Sequence, residues 1–210
     1  RTYPNVINYE AVHGLEQMKW SDIHTDQVTY DVTMPFIRML AGPVDYTQGA
    51  MHNANKRCYH YSMDTPMSQG TRCRQLAEYV VFESPLNMLC DSPTNYDREE
   101  ECTEFIATIP TVWEQTIAMN GEIGKYITMA RRKGDVWYVG SLTNWDARTL
   151  TLDLSFLGAG RWKAEMFHDG VNANRLASDY QKTVTDIPAS RKLTVKMAQG
   201  GGCALKIYKE

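Results

Sequence analysis

The spacing of apolar residues changes near residue 111, and this change limits the folds open to the chain. Before it, short apolar runs alternate with segments whose apolar residues recur at helical spacing. After it, apolar and polar residues alternate, which is typical of half-buried strands. The sequence therefore predicts an α/β unit over residues 1–115 followed by an all-β unit over residues 116–210.

The first unit repeats the order strand, loop, helix. Its predicted strands are residues 6–9, 44–46 and 86–91, and its predicted helices are residues 36–41, 73–81 and 102–109. Helices between strands favour parallel strands joined by crossover connections. Three strands cannot close a (β/α)8 barrel, but they fit its C-terminal part, where functional side chains stand at the carboxyl ends of strands.

The second unit shows alternation of period two in three places. Apolar and polar residues alternate at residues 150–154, 193–197 and 203–207. Further strands are predicted at residues 135–142 and 161–168. Because the alternate positions are mostly polar, the pattern predicts an antiparallel β-sandwich whose sheets pack on one face only.

Composition excludes several classes of function. The 210 residues carry a formal net charge of -3, so no basic field favours nucleic acid or an anionic membrane surface. No apolar run is long enough to span a bilayer. The five cysteines are an odd number without a CxxC pair, which excludes a zinc ribbon and a fully paired disulfide framework. We expect most of them to be small core residues.

The chain begins at Arg1, without a Met or a signal sequence. Predicted structure starts almost at once, at residues 6–9, which is typical of a segment taken from within a longer protein. The lack of a signal sequence in this segment therefore says nothing about where the parent protein is located.

Glu10 and Glu16 are the first candidates for chemistry. They lie on one short loop after the first predicted strand, together with His13 and Gly14. Two carboxylates can bind a hard cation through oxygen, or they can act as acid and base. A spacing of six residues is not diagnostic, and two solvated glutamates are the alternative. The histidines show no metal-binding spacing, so no zinc site is expected.

Two aspartates and a group of aromatic residues could support the same site. Asp45 and Asp91 each end a predicted strand and could bind a hydroxyl group, although a structural role in a turn is more common. Aromatic faces beside carboxylates suit carbohydrate rings, and ordinary packing is the alternative. The aromatic residues in or beside the polar loops are Tyr9, Trp20, Tyr30, Tyr46, Tyr59 and Tyr61.

Three segments resemble glycoside hydrolase family 97: residues 10–16 (EAVHGLE), 34–49 (MPFIRMLAGPVDYTQG) and 74–86 (RQLAEYVVFESPL). The second segment is long and specific. The resemblance covers nearly the whole chain, but only the C-terminal third of an architecture with an N-terminal β-sandwich, a catalytic (β/α)8 barrel and a C-terminal β domain. It implies that the first unit is the C-terminal part of the barrel and the second is the β domain.

The resemblance also implies an exo-acting α-galactosidase or α-glucosidase that hydrolyses an oligosaccharide or another α-glycoside. It implies that Glu16 is the general acid, that Glu10 and Glu16 help to bind Ca2+, and that the parent protein is periplasmic or secreted. The nucleophile or base would lie upstream of Arg1, in a part of the same protein that this chain needs as a partner. The chain alone is therefore expected to be inactive, because two carboxyl groups are needed.

Two positions depart from the family pattern. His13 stands where the family has Arg, and Ala11 stands where it has Gly. A histidine can donate a hydrogen bond but is not permanently charged, so we expect a different substrate preference. The alternative function is a non-catalytic carbohydrate-binding or interaction module, in which the β unit carries the function and both glutamates are solvated.

Overall fold

The computed structural model describes residues 3–20 and 25–210. Two short 3-10 helices occur at Leu15–Lys19 and Arg38–Ala41. None of the described helices has the length and apolar character needed to cross a membrane. The α-helices of the described residues are α1 (Gln27–Asp31), α2 (Met34–Ile37), α3 (Arg72–Val81), α4 (Pro93–Arg98) and α5 (Glu100–Ala107).

The strands form one large sheet and two small ones. The strands are β1 (Asn53–Ala54), β2 (Ser68–Gln69), β3 (Gln115–Glu122), β4 (Tyr126–Lys133), β5 (Val136–Thr143), β6 (Arg148–Asp153), β7 (Trp162–Asp169), β8 (Tyr180–Asp186), β9 (Lys192–Met197) and β10 (Gly202–Lys209). The large sheet has six antiparallel strands in the order β3-β4-β5-β10-β7-β8. β6 pairs with β9 in an antiparallel sheet, and β1 pairs with β2 in parallel.

The six-stranded sheet is covered on both faces. On one face lie β6 and β9, whose Leu152 and Val195 share a core with Trp137 and Leu205 of the large sheet. On the other face lie the helices, whose side chains form a second core with the sheet. The protein therefore has three layers: a helical layer, the six-stranded sheet and the two-stranded sheet.

Helix α3 is the central element of the helical layer. The Thr71 side chain caps its N-terminus by accepting a hydrogen bond from the amide of Arg74, and all ten residues of the helix are buried. The helix lies close to β5 and β10 because two sheet positions are glycines. A Cβ at Gly140 would lie 2.6 Å from the carbonyl oxygen of Ala77, and a Cβ at Gly202 would lie 2.6 Å from the Cα of Arg74.

The predicted antiparallel β unit is confirmed, with strands at all the predicted positions. The expectation that its sheets pack on one face only is wrong for the large sheet, because the helical layer covers the second face. In β10, Cys203 and Leu205 belong to the core between the sheets, whereas Ala204 between them belongs to the helical core.

The three predicted helices are confirmed as α2 with its 3-10 extension, α3 and α5. Between the predicted strand at residues 6–9 and the predicted helix at residues 36–41, the sequence suggests a polar loop as far as Tyr30. That expectation is wrong in part, since residues 15–19 and 27–31 are helical; residues 21–24 lie outside the described residues. Helix α4 was not predicted either. Helices of five or six residues contain too few apolar repeats to give a periodic signal.

The predicted strands of the first unit form only in part. Tyr9 and Val44 make an isolated parallel bridge, whereas residues 86–91 form no strand. Strands need neighbours that pair their backbone groups, and a complete barrel would place one on each side. The barrel and the unit boundary remain predictions. The helical core joins residues from both sides of that boundary, such as Leu76 and Leu142.

All five cysteines are free. Cys73, Cys102 and Cys203 are buried, as expected for small core residues, whereas Cys58 is exposed and Cys90 is half-buried. Burial raises the pKa of the Cys73 thiol well above its ordinary value, so this thiol is uncharged at neutral pH.

Replacing Gly140 by alanine is expected to destabilise the fold by about 1–3 kcal/mol, because the new Cβ would overpack the contact between α3 and β5. The thermal unfolding midpoint of the full-length protein that contains this chain measures the change. Gly158→Ala is the matched control, since a Cβ at Gly158 would meet no atom within 4 Å. Equal midpoints for the two variants would contradict the close approach of helix and sheet.

Candidate active site

The loop that carries the two candidate glutamates lies beside the segment that contains Tyr46. The amide of Leu15 donates to the carbonyl oxygen of Tyr46 (3.2 Å). A Cβ at Gly14 would lie 2.6 Å from that same oxygen, so glycine is needed for the two segments to lie this close. The contact fixes the start of the 3-10 helix and, with it, the position of Glu16.

Glu16 is exposed and lines a cavity of about 270 Å³. Its amide donates to the hydroxyl of Thr47 (3.3 Å), which holds the 3-10 helix against the neighbouring segment. Lys19, Met88 and Asp91 also line the cavity. Glu16 therefore lies where a small ligand could reach it.

Glu10 is also exposed but does not line this cavity. The next residue, Ala11, has a φ of 42°, in the left-handed region where glycine is unstrained. This backbone explains why glycine suits the position in the family pattern. Within residues 3–20 and 25–210, no group of three or more His, Cys, Asp or Glu side chains is arranged to hold a metal ion.

Asp91 holds one wall of the cavity together. Its Oδ2 accepts hydrogen bonds from the amides of Met51 (2.7 Å) and His52 (3.3 Å). Its Oδ1 accepts from the amide of Ser92 (2.7 Å) and from Nδ2 of Asn95 (2.6 Å). This is the structural role in a turn that the sequence suggested, and it joins two loops that are distant in sequence.

The aromatic residues of the polar loops differ in exposure, and Tyr30 is half-buried. Tyr46 and Tyr59 are buried, and the hydroxyl of Tyr59 donates to a backbone carbonyl oxygen (2.8 Å). Tyr9, Trp20 and Tyr61 are more than half exposed. Only the exposed group offers an accessible ring face to a sugar.

A second cavity of about 630 Å³ lies beside the first and shares Pro66, Cys90 and Asp91 with it. Polar residues line much of it, including Asn95 and Arg98 of α4. Ser178 of the β unit also lines it, so both units contribute to this second space.

A group of buried polar side chains lies beneath the loop, and we call it the Arg74 cluster: Gln27, Asp31, Tyr46, Arg74 and Glu78. Each is at most 2% exposed. Nη2 of Arg74 lies 3.2 Å from Oδ2 of Asp31, and Nε of Arg74 lies 3.2 Å from Oε1 of Glu78. One cation therefore faces two carboxyl groups inside the protein.

Burial raises the pKa of both carboxyl groups in the cluster. Loss of solvent, and then the nearby charge of Asp31, hold the pKa of Glu78 well above its ordinary value. Burial also raises the pKa of Asp31, but Arg74 and hydrogen bonds from Tyr46 and Gln27 oppose that rise by stabilising the carboxylate. Glu78 therefore keeps its proton to a higher pH than Asp31 does, and Asp31 pairs more readily with Arg74 as a carboxylate.

Arg74 also connects the cluster to two distant segments. Its guanidinium donates to the carbonyl oxygen of Val28 in α1 (2.8 Å) and to that of Thr143 at the end of β5 (2.8 Å). One buried side chain therefore joins the segment beneath the candidate site to the six-stranded sheet.

Sequence reasoning did not find the Arg74 cluster. Arg74 and Glu78 are spaced i, i+4 on a helix, a pattern typical of an exposed ion pair. Gln27 and Asp31 lie in a stretch where the sequence predicts neither a helix nor a strand. Their own i, i+4 spacing was the available signal, and a segment of five residues is too short for that spacing to identify a helix.

Residues 112–208 match the family model described as "Glycosyl-hydrolase 97 C-terminal, oligomerisation". Over 207 residues, which are 99% of the chain, the sequence is 61% identical to a retaining alpha-galactosidase from Bacteroides thetaiotaomicron. This chain belongs to glycoside hydrolase family 97. It covers 31% of that relative, and so spans about a third of its length.

Three further proteins extend the comparison. A probable retaining alpha-galactosidase from Streptomyces bingchenggensis is 28% identical over 81% of this chain and 24% of its own length. A family 97 enzyme from Pseudoalteromonas sp. strain K8, solved in complex with panose, is 34% identical with a TM-score of 0.87, over 99% of this chain and 32% of that chain. A beta-arabinopyranosidase structure is 25% identical with a TM-score of 0.81, over 97% of this chain and 31% of that chain. Proteins with different named activities therefore share this fold.

Glu78→Gln is expected to leave the protein at least as stable as the wild type at neutral pH, because the amide resembles the protonated carboxyl group. In the unfolded wild type, Glu78 loses its proton near its ordinary pKa of 4.5, whereas the folded protein retains it. The free energy of unfolding therefore falls as the pH rises above that value, and the variant should lack this part of the slope.

Thermal unfolding of the full-length protein between about pH 5 and pH 8 measures the slope. Glu104→Gln, at an exposed glutamate of α5, is the control and should keep the wild-type dependence. A wild-type slope in Glu78→Gln would show that Glu78 is ionised in the folded protein.

Proposed function

We propose that this chain is the C-terminal part of an exo-acting retaining α-galactosidase, which hydrolyses terminal α-linked sugars of an oligosaccharide or another α-glycoside. The 61% identity to a retaining alpha-galactosidase over 99% of the chain carries this proposal. That match includes the loop with Glu10 and Glu16 as well as the β unit. It therefore favours an enzyme over a non-catalytic carbohydrate-binding or interaction module.

Glu16 would act as the general acid. In a retaining glycosidase, one carboxyl group protonates the departing oxygen and later activates water, while a second attacks the sugar. The exposure of Glu16 and its place on the cavity wall support the first role. The second carboxylate would come from the upstream part of the protein.

The upstream part would complete a (β/α)8 barrel against an apolar surface of this chain. Apolar side chains of the first and third predicted strands are about half exposed: Ile7, Tyr9, Leu86, Met88 and Leu89. Oδ1 of Asp45, at the end of the second predicted strand, is buried without a hydrogen-bond partner among the described residues. Exposed apolar side chains on unpaired strand segments are typical of a surface that another part of the protein covers.

Ca2+ would bind with Glu10 and Glu16 among its ligands. Carboxylates are oxygen ligands of the kind that Ca2+ prefers, and both side chains are exposed. Ca2+ takes six to eight oxygen ligands, whereas two carboxylates supply at most four, so the remaining ligands would come from the upstream part. The ion would polarise a bound sugar or water; as a cation it favours the charged form of a carboxyl group and would not raise its pKa.

Glu16→Gln is expected to slow the hydrolysis of aryl α-galactosides with poor leaving groups by about 100-fold or more. The hydrolysis of substrates with activated leaving groups should slow less, because these groups depart without a proton. Steady-state kinetics of the full-length protein measure both, and aryl α-glucosides assayed in parallel distinguish galactose from glucose as the preferred sugar.

The exposed Glu104 again provides the matched control, since it lies on α5 and lines neither of the two cavities. Glu104→Gln should hydrolyse every substrate at the wild-type rate. A wild-type rate for Glu16→Gln on the poor leaving groups would exclude Glu16 as the acid.

Removing Ca2+ with a chelator is expected to lower both kcat and the thermal midpoint of the full-length protein. Added Ca2+ should restore them and Mg2+ should not, because Mg2+ demands a smaller octahedral site. Glu10→Gln should raise the Ca2+ concentration needed for half recovery by about tenfold or more. Full activity and an unchanged midpoint after chelation would exclude the ion.

We also propose that the parent protein is periplasmic or secreted. The resemblance to family 97 supports this location. A signal sequence at the N-terminus of the full-length protein is the observation that checks it.

A further inference from the structure

Gln27 holds His13, the residue midway between Glu10 and Glu16, at two points. Nε2 of Gln27 donates to the carbonyl oxygen of His13 (2.9 Å), and Oε1 of Gln27 lies 2.7 Å from Nδ1 of His13. Gln27 is only 1% exposed. A single buried side chain therefore holds both the backbone and the imidazole at the middle of the loop.

The surroundings of the Gln27 amide fix its orientation. Besides the carbonyl oxygen of His13, Nε2 contacts Oδ1 of Asp31 (2.9 Å) and the hydroxyl oxygen of Tyr46 (2.7 Å). The carbonyl oxygen of His13 can only accept, and Oδ1 of Asp31 already accepts a hydrogen bond from the hydroxyl of Tyr46, so the amide nitrogen must face both. The reversed amide would place its oxygen against these acceptors in a buried cluster, at a large cost in free energy.

The oriented amide determines which imidazole nitrogen of His13 carries a proton. Oε1 of Gln27 can only accept, so Nδ1 of His13 must donate to it. When the ring is neutral, Nε2 then carries no proton. This is the opposite of the tautomer that a free neutral histidine side chain favours in water.

The backbone of the same residue is held from a second side. The amide of His13 donates to the hydroxyl oxygen of Tyr30 (2.9 Å). Both peptide groups of His13 are therefore anchored to side chains of the α1 segment, Tyr30 on one side and Gln27 on the other. The loop that carries the two glutamates takes its position from α1.

We propose that Gln27 is a positioning residue for the reaction. By fixing the tautomer and the backbone of His13, it holds the loop in the arrangement that places Glu16 at the cavity. Arg74 extends this constraint to the six-stranded sheet through Asp31 and the carbonyl oxygen of Thr143. The inference rests on the proposed function, since it assigns Gln27 to the site that contains Glu16.

Nuclear magnetic resonance of the full-length protein labelled with 15N-histidine tests the tautomer directly. We expect the neutral ring of His13 to carry its proton on Nδ1, with the signals assigned by their loss in His13→Gln. A neutral ring with its proton on Nε2 would overturn the proposal without any variant of Gln27.

Gln27→Met removes the amide and retains an unbranched side chain of similar length. We expect the His13 proton to move to Nε2 and kcat for an aryl α-galactoside to fall by about tenfold or more, with a smaller change in KM. Gln69→Met is the matched control, because the buried Gln69 amide contacts the backbone amide of Gln27 (3.0 Å) and the carbonyl oxygen of Thr25 (2.7 Å). The control should keep both the tautomer and kcat.

The outcomes separate this inference from the proposed function. If Glu16→Gln hydrolyses poor leaving groups at the wild-type rate, the proposed function fails whatever Gln27→Met does. If Glu16→Gln is inactive on them but Gln27→Met equals Gln69→Met in tautomer or in kcat, the positioning role fails and the proposed function stands.

Discussion

The close packing of α3 on the six-stranded sheet is the contact on which the rest of the structure depends. It requires glycine at positions 140 and 202, because a Cβ at either would lie 2.6 Å from an atom of the helix. A helix that lies this close to the sheet, beneath further chain on its other side, has no solvent-exposed face. Arg74 and Glu78 are therefore buried, and a buried charge is tolerated only with a partner. The partner is Asp31, on a different helix.

The buried charges connect the β unit to the candidate site. The carbonyl oxygen of Thr143 at the end of β5 accepts from Arg74, and Arg74 pairs with Asp31. Asp31 in turn orients Gln27, which holds His13. The first cavity is lined only by residues that precede α4. A continuous series of directional contacts nevertheless joins the sheet to the loop with Glu16, and only the last of them, between Gln27 and His13, is partly exposed.

The spacing of apolar and polar residues predicted those strands in which one face is apolar and the other is polar. The alternation in β6 and β9 is visible because one face of their sheet packs on the core. Strand β5 is buried on both faces, so the alternation that predicted one-sided packing does not describe it. Residues 86–91 have a strand-like sequence, but a strand also requires neighbouring strands, and no local pattern supplies them.

The same limit applies to the prediction of the candidate site. Glu10 and Glu16 were found from their place after the first predicted strand, and the resemblance to a family gave their roles, whereas the contact between Gln27 and His13 depends on tertiary packing.

The shared helical core has a consequence for how such proteins diverge. Leu76 and Phe105 pack in one core with Leu142 and Ala204, although the family model matches only residues 112–208. A recombination event that exchanged this matched segment alone would replace one side of the core. Helix α3 would then pack against the side chains of a different sheet. Two relatives could exchange the segment only if both sheets had glycine at the positions that face Ala77 and Arg74. Substitutions on the helix and on the sheet are therefore expected to have coupled effects on stability across this contact.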